Sequence, residues 1–294
     1  MAALRIPENL AATAERTGLP EIHDWIAALP RVLTDLTARW DLRVGAPFQP
    51  GGQCSWVAPA RDTSGRDLVL KVGWSHTESA HEADGLRLWN GDGSVHLHAQ
   101  RVTPDTTALL LERCVPGSAL AGLAAEPRQD VIVAGLLRRL WREPPPGHPF
   151  RPLQTMCDEW AAEFEQKLAD VPGQLDPGLA RDGMELFRAL PSTATRAVLL
   201  CTDLHAENIL AADREPWLVV DPKPYVGDPT YDPLQHMLNC RDRLAQDPHG
   251  FARRMAQLLE LDAERLTRWL FARCVQESID APMLRDVARR LAPA

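Results

Sequence analysis

The chain has 294 residues, which is enough for one large domain or two modest domains with packed cores. Its 32 Lys and Arg residues are outnumbered by 40 Asp and Glu, and the net charge of −8 argues against a nucleic-acid-binding protein, which needs a basic face. No segment approaches the roughly 18 consecutive apolar residues of a membrane span, and the N-terminus lacks the apolar stretch of a secretion signal.

Six widely spaced cysteines form no Cys-x-x-Cys pair and no zinc-type spacing. This distribution predicts reduced, mostly buried thiols in a cytoplasmic protein. The mildly acidic composition is compatible with a cationic small substrate. Many cytosolic enzymes share it, however, and the charge alone favours that ordinary explanation.

The N-terminal part alternates between helical and strand-like patterns. Residues 21–40 carry apolar side chains at helical spacing, with Pro30 predicting a break or a kink. Short apolar runs at 67–72 and 108–111 predict buried strands, and residues 78–89 between them predict a helix. This part of the chain is therefore predicted to form a small, strand-rich lobe.

From Ser118 onward the apolar pattern is mainly helical. The proline-rich stretch 143–152 predicts a loop, because proline interrupts helices and central strands. Strand-like runs return at 197–222 on either side of a polar loop, and helices resume from Asp228 to the end. A larger, mainly helical lobe is the expectation here.

The polar loop contains the most informative residues of the sequence. Asp203 and Asn208 lie five residues apart within it, and Asp221 ends the next apolar run, 18 residues after Asp203. Phosphoryl transfer needs one carboxylate that orients the acceptor hydroxyl and takes its proton, and two hard oxygen ligands that hold Mg²⁺ on the nucleotide phosphates. The joint pattern predicts a kinase. The alternative is that all three are ordinary turn and strand-end residues.

The run Cys201-Thr-Asp-Leu-His-Ala-Glu-Asn208 resembles the H-G-D-L-H-x-x-N loop of the aminoglycoside phosphotransferase family, relatives of the protein kinases. The resemblance implies that Asp203 is the catalytic base or the residue that orients the acceptor. It also implies that Asn208 and Asp221 bind Mg²⁺.

The chain departs from the family motif at two positions, Cys201 for His and Thr202 for Gly. These positions support the loop rather than carry the reaction, so the predicted chemistry stands. His205 is a candidate general base, but hydrogen bonding to the loop backbone is its favoured role. Asp232 is predicted to cap the following helix and to brace the catalytic loop.

A kinase also needs a lysine that grips the phosphates and a glutamate that holds the lysine. Lys71 lies in an alternating strand, and Glu82 on the following predicted helix is its favoured partner, with Glu78 one turn earlier as the rival. Taken without the loop at Asp203, Lys71 would be interpreted as a surface lysine.

The segment containing Gly51, Gly52 and Ser55 lies between apolar runs. It could cover the phosphates through backbone N–H groups. It matches neither a Walker motif nor G-x-G-x-x-G, and a hairpin turn is the alternative.

The predicted fold is α+β: a protein-kinase-like, two-lobed fold with a small antiparallel β-sheet N-lobe and a mainly helical C-lobe. The expected boundaries are 1–113 for the nucleotide lobe, 114–117 for the hinge and 118–294 for the catalytic lobe. Hinge backbone groups bind the purine in the resembling family, which here implies Arg113 and Val115.

The block 221–236, with the runs 111–113 and 273–278, most resembles the streptomycin 6-phosphotransferase and hydroxyurea phosphotransferase branch of the family. Streptomycin carries guanidinium groups, so its pocket should offer carboxylates. The candidate carboxylates are Asp228, Glu159, Glu163 and Glu277. Each is also explained as a solvated helix charge, and hydroxyurea, which is small and neutral, would need none of them.

The sequence thus predicts an antibiotic-modifying kinase that uses ATP or GTP with Mg²⁺ to phosphorylate a hydroxyl of streptomycin, conferring resistance. A hydroxyurea phosphotransferase or a metabolic small-molecule kinase would keep the mechanism and change the acceptor. The alternative from another functional class is a catalytically silent regulator that binds a nucleotide. Such a protein should lack one of the residues needed for transfer, and it is disfavoured because all four are present: Lys71, Asp203, Asn208 and Asp221. We expect a monomer that acts on a small molecule, without nucleic-acid or membrane partners.

Overall fold

A β-rich series of elements is followed along the chain by a helical one. The structure is a computed structural model that describes residues 4–76 and 80–293. It divides into two compact units, Met1–Gly117 and Ser118–Ala294. The hinge proposed at 114–117 stays a prediction.

The first unit is built on an antiparallel sheet of five strands in the order β1-β2-β3-β5-β4. Its strands are β1 (Arg43–Val44), β2 (Ser55–Arg61), β3 (Asp67–Trp74), β4 (Leu97–Val102) and β5 (Thr106–Glu112). Its helices are α1 (Glu8–Thr17), α2 (Pro20–Arg39) and α3 (Glu82–Trp89). The strands predicted at 67–72 and 108–111 are confirmed as parts of β3 and β5.

Helix α2 shares one apolar core with the sheet of the first unit. Ile22, Leu29 and Leu36 on α2 are fully or almost fully buried, and β3 contributes Leu68 and Leu70. Each such side chain stabilises the fold by about 1.5–3 kcal/mol.

Pro30 was predicted to mark a break or a kink; α2 continues through it without a break, and the kink stays a prediction. Proline removes one backbone N–H donor from a helix. The apolar residues on both sides of Pro30 are buried in the same core, which holds the two halves of the helix together.

The second unit is mainly helical and carries two small sheets. Its helices are α4 (Leu120–Leu123), α5 (Glu126–Leu140), α6 (Leu153–Asp170), α7 (Pro177–Ala189), α8 (Leu234–Asn239), α9 (Arg241–Gln246), α10 (Pro248–Leu259), α11 (Ala263–Gln276) and α12 (Leu284–Leu291). Its strands are β7 (Val198–Leu200), β8 (Ile209–Ala212), β9 (Trp217–Val219) and β10 (Tyr225–Gly227), and β6 (Pro116–Ala119) begins two residues before the unit does. Strands β7 and β10 form one pair, and β6, β8 and β9 form the other sheet.

Helix α11 forms the centre of the second unit, where it packs against α7, α10 and α12. Trp269 on α11 is fully buried and makes edge-on contacts with the rings of Phe187 and Tyr231. The contact with Tyr231 joins α11 to the helical turn Pro229–Tyr231 that follows β10 in sequence.

All six cysteines are free thiols, and all but the half-buried Cys54 are buried, as predicted. Within residues 4–76 and 80–293, no helix combines the length and apolar character needed to cross a bilayer.

Candidate active site

The polar loop begins where β7 ends at Leu200 and leads into β8, a strand of the other small sheet, at Ile209. The backbone N–H of Asp203 donates to the carbonyl of Cys201 over 2.8 Å, which makes a tight turn. The side-chain amide of Asn208 donates to the carbonyl of Asp203 over 3.0 Å. The loop therefore brings Asp203 and Asn208 together and fixes the orientation of the Asn208 amide.

Asp232 braces this loop, as predicted, but the predicted cap on the following helix is wrong, because α8 begins after Pro233 without a side-chain cap. One oxygen of its buried carboxylate accepts from the Thr202 N–H at 2.7 Å, and both accept from the Cys201 N–H at 3.1 Å. The indole N–H of Trp141 donates to the second oxygen at 2.9 Å. Burial raises the pKa of Asp232 to about 6, although these N–H donors oppose the rise by favouring the carboxylate.

Thr202 is one of the two departures from the family motif, and hydrogen bonds explain how the loop accommodates it. Its φ of +50° lies in the left-handed region that a β-branched residue rarely adopts, and the motif has glycine there. Two hydrogen bonds hold Thr202 in place: the one to Asp232, and a bond from its hydroxyl to the carbonyl of Lys223 at 2.6 Å. The other departure, Cys201, is fully buried, and burial raises the pKa of its thiol.

A short hairpin places Asp221 close to Asn208 along the sheet. Ile209 on β8 faces Val219 on β9, and the N–H of Val220 donates to the carbonyl of Asn208 at 2.9 Å. Asn208 immediately precedes the hairpin and Asp221 follows it, so both residues lie at its open end. Because the Asn208 nitrogen is engaged by the Asp203 carbonyl, its amide oxygen is the atom left for a cation.

The amide and carboxylate oxygens of Asn208 and Asp221 are donors that suit Mg²⁺. Among the described residues, no group of three or more His, Cys, Asp or Glu side chains is arranged to hold a metal ion. A cation bound here would therefore need ligands from phosphate and water as well, which is how Mg²⁺ commonly binds with nucleotides.

Two basic side chains lie beside Asp203. The Lys223 ammonium is 3.0 Å from Asp203 Oδ2, and His205 Nε2 is 3.9 Å from Asp203 Oδ1. Burial lowers the pKa of His205, although the Asp203 and Glu207 charges act in the opposite direction. Our sequence reasoning missed Lys223; the available signal was a lysine two residues after Asp221, in a Pro-Lys-Pro run that fixes its backbone.

In the first unit, Lys71 and Glu82 form a partly buried ion pair with 2.6 Å between Lys71 Nζ and Glu82 Oε2. Lys71 lies on β3, on the face opposite its buried leucines, and Glu82 begins α3. The Lys71 side chain is only 13% exposed, so it is not a solvated surface lysine. The rival partner, Glu78, lies outside the described residues.

The glycine segment connects β1 to β2 and is attached to α1. The side chain of Asn9 donates to the Gly51 carbonyl at 2.8 Å. Gly51 has a φ of +79°, and a Cβ there would lie 2.5 Å from Pro7, so glycine is required for both reasons. A Cβ on Gly52 would lie 2.5 Å from the hydroxyl of Ser55, the first residue of β2. Nothing in these contacts assigns the segment to phosphates.

Arg113 and Val115, the proposed hinge contacts, follow β5. Arg113 is half-buried and lies 3.9 Å from Asp67, whereas Val115 is exposed. Their proposed role uses backbone groups, so these side-chain positions do not test it.

Each of the four acidic candidates for substrate binding already has a cation of its own. The pairs are Asp228–Arg265, Glu159–Arg151, Glu163–Lys167 and Glu277–Arg273. Asp228 is almost fully buried and also accepts from the indole N–H of Trp269 at 2.7 Å. A guanidinium substrate would therefore have to displace an internal partner, and Asp228 offers it the least access.

Comparison with known proteins places this geometry in a family. A sequence model described as "Aminoglycoside/hydroxyurea antibiotic resistance kinase" matches residues 39–282. A streptomycin 6-kinase of Streptomyces glaucescens is 35% identical over 289 residues, covering 94% of this chain and 90% of the relative. A hydroxyurea phosphotransferase of Kitasatospora aureofaciens is 33% identical over 283 residues, covering 95% and 80%.

Among solved structures, an amicoumacin kinase in complex with AMP-PNP and Ca²⁺ has a TM-score of 0.58 at 13% identity. The match covers 90% of this chain and 95% of that chain. At this identity the likeness concerns the fold, and the predicted protein-kinase-like fold is confirmed. The chain belongs to the aminoglycoside/hydroxyurea antibiotic resistance kinase family, as the resemblance of its polar loop predicted.

Proposed function

We propose that this chain transfers the γ-phosphoryl group of a nucleoside triphosphate to a hydroxyl of streptomycin and thereby confers resistance. The observation that carries the proposal is the loop that holds Asp203 and Asn208 and is braced by Asp232, with Asp221 at the end of the adjoining β8–β9 hairpin. The 35% identity to a streptomycin 6-kinase over nearly the whole chain supports the choice of acceptor.

In the proposed reaction Asp203 orients the acceptor hydroxyl and takes its proton. Asn208 and Asp221 would hold Mg²⁺, which neutralises phosphate charge when it is bound. Lys71, held by Glu82, is proposed to contact the phosphates. Because the transition state of phosphoryl transfer is loose, positioning and charge stabilisation supply most of the catalysis.

The remaining proposed nucleotide contacts use backbone groups. Gly51 and Gly52, with the Ser55 hydroxyl, are proposed to cover the phosphates. Main-chain groups of Arg113 and Val115 are proposed to bind the base. ATP and GTP are both compatible with such contacts.

Hydroxyurea is the second candidate acceptor, favoured by the 33% identity to a hydroxyurea phosphotransferase. The ion pairs within the protein that involve the four acidic candidates also favour hydroxyurea, because a neutral acceptor need not displace the arginine or lysine partners. Streptomycin would have to compete with Arg151 for Glu159 and with Arg273 for Glu277. A metabolic acceptor would use the same loop.

A coupled assay of ADP release tests the proposal across streptomycin, other aminoglycosides, peptide antibiotics and hydroxyurea. We expect streptomycin to stimulate release, and mass spectrometry of the product to show one added phosphate. In the same assay Asp203→Ala should abolish transfer while leaving nucleotide binding largely intact. Asp213→Ala, an exposed position in the β8–β9 turn, serves as the control. Stimulation by hydroxyurea alone would replace the acceptor, and full turnover by Asp203→Ala would refute the mechanism.

A further inference from the structure

Lys223 has no role in the kinase pattern that the sequence predicts, yet it touches the proposed catalytic carboxylate. Its ammonium lies 3.0 Å from Asp203 Oδ2, and its side chain is 32% exposed. The pair is therefore accessible from solvent. A cation at this place bears directly on the charge of the site.

The backbone of Lys223 is fixed to the catalytic loop from both sides. Its N–H donates to the carbonyl of Cys201 at 3.0 Å, and its carbonyl accepts from the Thr202 hydroxyl at 2.6 Å. Proline residues flank it at 222 and 224 and restrict the local backbone further. The catalytic loop therefore fixes the distance between the Lys223 Cα and Asp203.

The proposed reaction brings the transferred group close to this lysine. The acceptor oxygen forms a bond to the γ-phosphorus while the bond from that phosphorus to the bridging oxygen breaks. The electron pair stays with the diphosphate, and the hydroxyl proton goes to Asp203. The transferred group must therefore pass between Asp203 and the phosphates held at Asn208 and Asp221. Lys223 contacts Asp203 and lies two residues after Asp221 in the sequence.

We propose that Lys223 is a further catalytic residue, whose ammonium moves from Asp203 to the γ-phosphoryl group when the substrates bind and stabilises its charge during transfer. The inference rests on the proposed phosphotransferase function. Lys223 gives and takes no proton in this scheme; it keeps its positive charge throughout and stabilises the negative charge of the transferred group. Its departure from Oδ2 also leaves that oxygen available to the acceptor hydroxyl.

Lysine footprinting of the wild-type chain tests the contact without any substitution. The sequence has three lysines, Lys71, Lys167 and Lys223, so an acylating reagent read by mass spectrometry reports on each separately. Lys167 pairs with Glu163 and Asp280 on the surface and is the internal control. We expect Mg²⁺ with AMP-PNP to protect Lys223 more than Mg²⁺ with ADP does, and Lys167 to react equally in both.

Charge-changing variants provide the second test. Lys223→Met should weaken AMP-PNP binding about tenfold and leave ADP binding within about twofold, as expected for one lost charged hydrogen bond to the γ-phosphate. It should lower kcat about 100-fold or more, the usual cost of one transition-state donor. Lys223→Arg, which keeps the charge, should retain at least about a tenth of kcat, and Lys167→Met should match the wild type.

A purely positioning role for Lys223 predicts a different result. In that case Lys223→Met would lower kcat with AMP-PNP and ADP affinities unchanged, and both nucleotides would protect Lys223 equally; this outcome overturns the proposal. The wild-type acceptor screen separates the two hypotheses. If the wild type transfers phosphate but AMP-PNP and ADP protect Lys223 equally, only this inference fails. If the wild type transfers phosphate to none of the acceptors, the proposed function fails.

Discussion

At the scale of single residues, Thr202 adopts a conformation that costs free energy. A non-glycine residue at positive φ is destabilised by about 1–3 kcal/mol, and β-branching adds to the crowding. Thr202 offsets this cost through its N–H bond to Asp232 and its hydroxyl bond to Lys223. The strained residue thus connects the brace of the loop to the lysine beside Asp203.

At most positions an alanine variant is more stable than a glycine variant, and we predict the reverse order at position 202. Thr202→Gly should be more stable than Thr202→Ala by about 1 kcal/mol, because glycine relieves the positive φ and both variants lose the hydroxyl. Thr267, whose hydroxyl bonds the Ala263 carbonyl within α11, is the matched control. There the alanine variant should be the more stable by about 1 kcal/mol. Urea unfolding measures all four variants, and the same order at both sites would contradict the strain.

At the scale of secondary-structure elements, one carboxylate joins four helices of the second unit. Asp130 on α5 is fully buried and accepts from His236 on α8 at 2.9 Å, Arg243 on α9 at 2.7 Å and Arg254 on α10 at 2.6 Å. Burial by itself raises the pKa of Asp130, but the hydrogen bonds from these three residues outweigh it and hold the pKa well below the usual range. Asp130 thus links α5 to α8, α9 and α10.

Asp130→Asn is expected to destabilise the protein by about 3 kcal/mol at pH 7, because it leaves two arginines around a neutral amide. A lowered carboxyl pKa contributes stability above the unfolded-state value of about 4 and loses it as the pH falls towards the folded-state value. The gap between wild type and variant should therefore narrow below about pH 4. Denaturant titrations from pH 7 to pH 3 measure it.

Asp182→Asn on the exposed face of α7 is the control for this series, and it should change stability by less than about 0.5 kcal/mol. A gap for Asp130→Asn that stays constant down to pH 3 would show that the native carboxylate is not held ionised by its partners.

Asp228 joins the segment after β10 to α11 through Arg265 and Trp269. We expect Asp228→Asn to destabilise the protein by about 3 kcal/mol, since it breaks a nearly buried ion pair. It should leave KM for the acceptor within about twofold of the wild type once the folded fraction is taken into account. The exposed Glu159→Gln should cost less than about 1 kcal/mol. A rise in KM for Asp228→Asn without loss of stability would restore Asp228 as a substrate contact.

At the scale of the whole molecule, the features that local pattern determines were predicted well. Strands β3 and β5 follow from short apolar runs, and the polar loop follows from the residues at 203, 208 and 221. The family membership follows from the same loop. Each of these signals is contained in one short stretch of the sequence, so no knowledge of distant contacts is needed to find it.

The features that sequence reasoning missed depend on distant contacts. Lys223 meets Asp203 because a hairpin intervenes and Thr202 takes a positive φ, which its residue type argues against. Asp228 is paired with Arg265, 37 residues away, and so differs from the solvated charge that its sequence neighbours suggested. Pro30 leaves α2 continuous because burial against the sheet outweighs one lost hydrogen bond.

The kinase proposal also predicts that a nucleotide stabilises the protein, and that Lys71 and Asp221 contribute to this effect in different ways. A ligand at 100 times its Kd should stabilise the wild type by about 2.7 kcal/mol, and the melting temperature should rise accordingly. Lys71→Met should lose this rise with or without Mg²⁺, because the ammonium is proposed to contact phosphate directly. Asp221→Ala should lose only the increment that Mg²⁺ adds to ATP.

Differential scanning calorimetry with ATP, with and without Mg²⁺, separates these effects, and Lys167→Met supplies the control on the exposed face of α6. Retention of the full Mg²⁺ increment in Asp221→Ala would move the metal site away from the β8–β9 hairpin. Retention of the full rise in Lys71→Met would mean that Lys71 and Glu82 form a structural ion pair. If both variants lose their predicted part, Lys71 and Asp221 both contribute to nucleotide binding, as the proposed phosphoryl transfer from ATP to an acceptor at Asp203 requires.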